Sequence, residues 1–329
     1  MTILIDRNTR VVVQGITGRQ ARLDTENSIR YGTRVVAGVT PGRGGEEVLG
    51  VPVYNTVRAA VNAQGANASV LYVPAQAVRD AVFEAIDAGI KLIVGTSEGV
   101  SRQGAAEIVA AARAADVTLV GLNTNGLISP GQSKVGGIGG VDPGDIYVPG
   151  RIGICSRSGG MTAELALTLK QNGYGVSTAI AMGGDRITGR RMVDYLRMFE
   201  ADPGTDAVCV YGEPGSRNEA EVAEHLRQNG LTKPVVAVIA GRFQENYPKG
   251  MSFGHAAAMI SSDEDSASAK QRMLAAVGVR IAESLADIPG LLSEAGIARS
   301  RGIDGDAGRD MPGAHAARSA VGGLRSGVA

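Results

Sequence analysis

The sequence predicts an α/β fold made of two successive parallel-sheet units. Short β-branched runs alternate with stretches of helical periodicity in two series, separated by an interval rich in Gly and Pro. Forty-seven glycines against an aromatic share of 4% suit many tight strand-to-helix turns. A chain of 329 residues that is 44% hydrophobic has the length and the apolar content for two cores.

The first series reads TRVVVQG, a helix over 20–31, RVVAGVT, a helix over 57–63, ASVLYVP, a helix over 77–88, KLIVG, a helix over 103–115, and VTLVGL. Parallel strands joined by helical crossovers need cover on both faces, so residues 1–127 are expected to form a doubly wound domain. Residues 128–150 carry too much glycine to bury a core of their own and read as a connector. The alternation then restarts with RIGICS, a helix over 161–172, VSTAIAM, a helix over 191–199, DAVCVYG, a helix over 218–228, and KPVVAVIAG. A helix over 267–276, VRIA and a helix over 284–294 complete a second parallel domain over residues 151–297. Residues 298–329 lose apolar periodicity and read as a disordered tail.

Lys+Arg and Asp+Glu both total 33, so no global field draws the chain to nucleic acid or to an anionic membrane. Asp6, Arg7 and Arg10 interrupt what a secretory signal would keep apolar, and no stretch approaches about 18 uninterrupted apolar residues, so a cytoplasmic location is expected. Cys155 and Cys209 both lie in apolar strand-like runs, which leaves neither a disulfide framework nor a metal cluster.

In VVVQGITGRQ a strand runs into Gly15, Thr17 and Gly18 before a helix, an arrangement that aims backbone N–H groups at an anion. On its own such a turn is equally a plain connection. The second strand ends in TPGRGG, with Arg43 where NAD-binding domains usually keep an acidic residue for the ribose. Arginine suits a ribose phosphate, which both NADP and coenzyme A carry.

Of the three histidines, His225 sits on a polar helical face and reads as solvated, and His315 falls in the tail. His255 is flanked by Gly254 and small residues that leave room around the ring. A neutral imidazole is a competent nucleophile when an acceptor fixes its tautomer. Glu213, at a glycine-bracketed strand end, is the candidate acceptor. Ser158, Gly159 and Gly160 at one turn, and Gly183, Gly184 and Asp185 at another, offer places for a phosphoryl group.

The segments GITGRQ, GVTPGRGG, GVPVYNTVRAAV, ASVLYVPA, AIDAGIKLIV, TSEGV and ISPG, followed by SRSG, GGD, GE and GHA, occur in the order and spacing of one family. Over about residues 1–289 the chain is similar to the succinyl-CoA synthetase α subunit. The resemblance implies an N-terminal Rossmann-like CoA-binding domain followed by a flavodoxin-like parallel α/β domain. It implies that Thr17, Gly18, Arg19 and Gln20 hold the CoA phosphates, that Arg43 replaces a CoA-contacting lysine, and that Thr96, Ser97 and Glu98 also contact CoA. It further implies that His255 is phosphorylated with Glu213 as its carboxylate partner. No lysine-bearing Walker loop occurs in the chain, and in this family ATP or GTP with Mg2+ belongs mainly to an ATP-grasp β subunit, in an αβ heterodimer or heterotetramer.

Three departures cluster around the acyl chemistry. Ala163 stands where the family has a substrate-contacting tyrosine, Thr124 stands beside the retained Asn123 where the family has cysteine, and the run before His255 has lost basic charge. The small carboxylic acid is therefore expected to be succinate-like or a different di- or hydroxycarboxylate, with plain succinate not the preferred one. Two alternatives stand beside the ligase: an NADP-dependent Rossmann oxidoreductase, and a noncatalytic CoA-binding sensor.

Overall fold

Two seven-stranded sheets are laid out along the chain in the computed structural model, which describes residues 2–255 and 257–300. The first contains β1 (Arg10–Gln14), β2 (Arg34–Val39), β3 (Glu47–Val48), β4 (Val51–Tyr54), β5 (Ala68–Leu71), β6 (Leu92–Gly95) and β7 (Thr118–Gly121). Its order is β3-β4-β2-β1-β5-β6-β7, with β3 antiparallel at the edge and the other six parallel. Without β3 this is the strand order of a Rossmann-like sheet.

The helices of this half are α1 (Arg19–Arg30), α2 (Val57–Gln64), α3 (Val78–Asp87) and α4 (Arg102–Ala114). Local chemistry sets their ends. Thr56 caps α2 by accepting the Ala59 N–H at 3.2 Å, and Gly65 ends it in the left-handed region. One face of the sheet packs Val12, Ile93 and Leu119 against Val57, Val82 and Ile108 of these helices.

The second sheet contains β8 (Gly126–Ser129), β9 (Ser133–Val135), β10 (Pro149–Ser156), β11 (Val176–Ala181), β12 (Ala207–Gly212), β13 (Val235–Ile239) and β14 (Arg280–Ala282). Its parallel part runs β14-β13-β12-β10-β11, the flavodoxin-like order, and β8 and β9 continue the sheet antiparallel. Around it lie α5 (Gly159–Gln171), α6 (Met192–Ala201), α7 (Asn218–Asn229), α8 (Ala267–Ala275) and α9 (Ile288–Glu294). The helix expected over 284–294 starts later, after a 3₁₀ turn at Leu285–Asp287, with Pro289 in the first turn, where a missing N–H costs nothing.

The glycine-rich interval does more than connect. Leu127, Ile128, Val135 and Ile138 are buried, and the β8-β9 hairpin extends the second sheet. The hairpin starts at Gly126, inside the span expected for the first domain, and its glycines mark close backbone approach rather than looseness. Gly126 (φ +109°) faces Val135, whose carbonyl oxygen would lie 1.9 Å from any added Cβ. The hairpin also joins the halves: Thr33 Oγ1 donates to the Lys134 carbonyl at 2.9 Å, and the Ser129 hydroxyl donates to the Ile5 carbonyl at 3.1 Å. Val11 and Val94 of the first sheet share one continuous apolar cluster with Leu127, Ile180 and Phe199. The tail expected to be disordered lies, from residue 301 onward, outside the described residues, as does His315.

Candidate functional site

β12 delivers Glu213 at the C-terminal edge of the second sheet, and the loop after β13 brings His255 back to it. His255 Nδ1 lies 2.7 Å from Glu213 Oε1. Because a carboxylate can only accept, the ring proton sits on Nδ1 and the Nε2 lone pair is left for chemistry. The Glu213 side chain is 9% exposed and that of His255 37%, so the carboxylate is sheltered while the ring stays reachable. The hydrogen bond to Glu213 raises the His255 pKa above 6.5, with burial and Arg157 opposing it and Asp185 adding to it. Glu213 Oε2 is buried with no hydrogen-bond partner among the described residues.

Beneath the pair, Lys270 is 2% exposed and its Nζ donates to the Glu213 carbonyl at 2.7 Å, to the Gly215 carbonyl and to Glu219 Oε2 at 2.6 Å. Glu219 Oε1 in turn accepts the Glu213 N–H at 3.3 Å. Both backbone polar groups of Glu213 are thereby held.

Of the two turns expected to take a phosphoryl group, one abuts the ring and the other is tied to it. A Cβ added to Gly184 would lie 2.9 Å from His255 Cγ and Cδ2, so glycine is what lets the imidazole pack there. Arg157, buried just before α5, donates to the Gly184 and Asp185 carbonyls at 3.2 and 3.1 Å, which ties the start of α5 to the 183–185 turn. Ser158 caps α5 by accepting the Met161 N–H at 3.4 Å, and Gly160 faces open space. The helix dipole adds positive potential at this turn.

On the first sheet, the residues expected to meet CoA gather at the C-terminal ends of neighbouring strands. Thr17, Gly18, Arg19 and Gln20 follow β1, Arg43 follows β2, and Thr96, Ser97 and Glu98 follow β6. Their side chains brace the edge as well as face it. Thr96 and Ser97 donate to the Leu71 and Val73 carbonyls at 2.5 and 2.6 Å, and Gln20 donates to Asp24 at 3.1 Å. Arg43 is paired with Glu46 on the surface, its Nη2 2.7 Å from Oε2. Gly15 (φ +79°) permits the β1 turn, since a Cβ there would lie 2.5 Å from the Tyr72 carbonyl oxygen.

Asn123 spans the two regions. Its N–H donates to the Ser97 carbonyl at 3.2 Å and its Nδ2 to Asp185 Oδ1 at 3.0 Å. Thr124 is buried, and its hydroxyl is committed to the Ala181 carbonyl and to the Gly126 N–H at 2.9 Å. Ala163, early in α5, packs against the apolar cluster beside the second sheet.

His225 is not the solvated residue its helical face promised. It is 9% exposed, with Nε2 3.0 Å from Glu200 Oε2 and Nδ1 3.0 Å from Asn229 Nδ2, because α7 packs on α6 and encloses that face. Arg157, Glu219 and Lys270 are the site residues that sequence reasoning passed over. Arg157 lies inside the quoted SRSG segment, whereas nothing in the local pattern sets Lys270 apart from a surface lysine. Both thiols are buried, which pushes Cys209 up to about 12 and Cys155 further still, so neither is reactive. No helix among the described residues is long and apolar enough to cross a membrane.

Comparison with known proteins matches both halves. Residues 6–99 match the CoA binding domain family, and residues 155–280 match the CoA-ligase family. The chain is 45% identical to the succinate–CoA ligase [ADP-forming] subunit alpha 2 of Archaeoglobus fulgidus, over 89% of this chain and 99% of that protein. It is 42% identical to the malate–CoA ligase subunit alpha of Methylorubrum extorquens, over 86% of this chain and 94% of that protein. Among solved structures, the ATP citrate lyase of Methanothrix soehngenii in complex with citrate and coenzyme A superposes with a TM-score of 0.81 at 26% identity. That match takes in 91% of this chain and 52% of that one, so the present chain spans about half of the lyase.

Fold and site together define a CoA-binding sheet followed by a CoA-ligase sheet that presents a carboxylate-held histidine. The chain belongs to the succinate–CoA ligase alpha-subunit family, within the NDP-forming acid–CoA ligases. The oxidoreductase alternative is thereby set aside, because it accounts for only the first of the two matched regions.

Proposed function

We propose that this chain is the α subunit of a heteromeric acid–CoA ligase in which His255 carries the phosphoryl group between a nucleotide and a carboxylic acid. The observation that carries the reading is the 2.7 Å hydrogen bond donated by His255 Nδ1 to Glu213, which leaves Nε2 as the nucleophile. His255 Nε2 takes the γ-phosphoryl group from ATP or GTP held by an ATP-grasp β subunit, and the terminal P–O bond breaks. Glu213 stabilises the positive charge that the ring acquires. Mg2+ bound with the nucleotide would supply charge neutralisation at the phosphates.

A carboxylate oxygen of the acid then attacks phosphorus, the P–N bond breaks, and the lone pair returns to Nε2. The free N–H groups at the start of α5 and the 183–185 turn suit the phosphate oxygens during this exchange. The CoA thiol, as thiolate, attacks the acyl carbon of the resulting acyl phosphate, and inorganic phosphate leaves. Thr17, Gly18, Arg19, Gln20, Arg43 and the strip Thr96, Ser97 and Glu98 are the residues we assign to CoA. Asn123, between the two edges, is assigned to the region where the thiol meets the acyl phosphate.

The chain is to be reconstituted with its nucleotide-binding partner, Mg2+ and γ-labelled nucleotide. The expected product is an acid-labile, base-stable label on His255 that discharges to acyl-CoA when CoA and the right carboxylic acid are added. Relatives named for succinate and for malate set the acids to compare, with citrate as a larger member. Absence of label from His255 in the active complex would remove the mechanism. A succinate kcat/KM above that of every larger acid would remove the expectation of a different substrate.

A further inference from the structure

A cavity of about 190 Å3 lies between α6 and α7, lined by Arg191 and Arg197 from one side and by Arg217, Glu221, Glu224 and His225 from the other. None of its lining residues belongs to the His255–Glu213 site. Its carboxylates are already answered by cations or amides. Arg191 Nη1 pairs with Glu221 Oε1 at 2.7 Å, and Glu224 takes Arg227 Nη1 and Gln228 Nε2 at 2.5 Å each. Arg197 and Arg217 have no carboxylate partner among the described residues.

The buried His225 orients one of these two cations. Its Nδ1 accepts from Asn229 Nδ2 at 3.0 Å and from Arg197 Nε at 3.4 Å, both of which can only donate. The ring proton therefore sits on Nε2, which donates to Glu200 Oε2 at 3.0 Å. Arg197 thus spends Nε on an uncharged partner, and its two terminal nitrogens keep no hydrogen-bond partner among the described residues. Two guanidiniums without counter-ions, on neighbouring helices around one space, suit an oxyanion with several acceptor oxygens. Phosphate has both the charge and the oxygens to meet two such forks at once.

We infer that the cavity between α6 and α7 binds a small phosphate-bearing anion through Arg197 and Arg217, apart from the phosphoryl chemistry at His255. Its position gives it a route to that chemistry. Helix α6 follows the turn that abuts His255, and α7 follows the turn that carries Glu213. The Met192 N–H already donates to Asn218 Oδ1 at 3.3 Å between the two helix starts. An anion held from both helices braces the same pair of elements.

The test follows the arginine Nε–H resonance of Arg197 in the full chain, assigned by its loss in Arg197→Met, because phosphate at the turns around His255 does not report there. The chain is titrated with inorganic phosphate and, separately, with glycerol 3-phosphate, with chloride holding the ionic strength constant. The Arg197 signal is expected to shift with saturation. In Arg217→Met the midpoint is expected to move about tenfold or more to higher concentration, and Arg217→Lys is expected to recover part of that loss. A lower midpoint with the ester assigns the cavity to a phosphomonoester, and a lower one with inorganic phosphate assigns it to the free ion. The Nε–H signal of the buried Arg157, unchanged between proteins, shows that each variant is folded. An Arg197 signal that neither anion moves, or a midpoint that Arg217→Met leaves in place, would overturn the site.

Discussion

Lys270 and Glu219 meet at 2.6 Å with side chains 2% and 0% exposed, directly beneath the carboxylate that orients His255. The pair ties α8 to the start of α7 and grips the backbone of Glu213 from both. A buried ion pair contributes little net stability, but removal of one partner strands the other charge. Lys270→Met should therefore destabilise the chain by about 3–5 kcal/mol, and Lys270→Met with Glu219→Gln should recover much of that loss. Denaturant unfolding measures both. A single-variant loss below about 1 kcal/mol would show that the pair is not the clamp described.

Phosphorylation of His255 needs the neutral ring, so its rate should fall as pH drops through a value above 6.5. Glu213 is the largest cause of that raised value, and Glu213→Gln should move the acid limb to lower pH while slowing the plateau rate by about 10²-fold. The linked stability has a definite sign. A raised histidine pKa stabilises the folded chain below pH 6.5, and that contribution is lost as pH rises through the folded value. A pH–rate profile of label uptake decides the matter: an acid limb in the same place in both proteins would mean that Glu213 does not set it.

Two glycines in the turns assigned to phosphate should respond differently to alanine. Gly184→Ala places a methyl group 2.9 Å from the His255 ring, so label uptake should collapse as the ring is displaced from Glu213. Gly160→Ala meets nothing within 4 Å and sits in the first turn of α5, where alanine gains up to about 1 kcal/mol of helix propensity. Thermal unfolding of Gly160→Ala should show equal or greater stability. A loss of stability there would mean that the turn is more crowded than the structure has it.

Arg43 must leave Glu46 to reach a ligand phosphate, because the two are paired in the free chain. Arg43→Ala should weaken CoA about tenfold or more while changing dephospho-CoA less, and Glu46→Gln should tighten CoA by freeing the guanidinium. Calorimetric titration with both ligands distinguishes a ribose-phosphate contact from a general one. Equal weakening of the two would remove the assignment of Arg43 to that phosphate.

Much of the architecture was legible because its signals are local. β-branched runs such as VVVQ and VVAVI, punctuated by glycine turns, required parallel strands covered on both faces. The β8-β9 hairpin was hidden by its composition, since Gly136 read as looseness until its close approach to the Asn125 carbonyl is seen. His225 misled for a related reason: a polar helix face reads as solvated unless the neighbouring helix is known to cover it.

The sequence by itself determined the two parallel sheets and the glycine turns at their strand ends, and it singled out His255 and Glu213 as a candidate nucleophile and its acceptor. Hydrophobic period and turn residues act over a few positions, so they survive in the linear chain. Only the tertiary structure decided that Lys270 holds Glu213 across 57 residues and that Arg157 ties α5 to the turn against His255. Those relationships depend on which strand ends and helices become neighbours in the folded sheet, and chain spacing does not encode that adjacency for isolated charges.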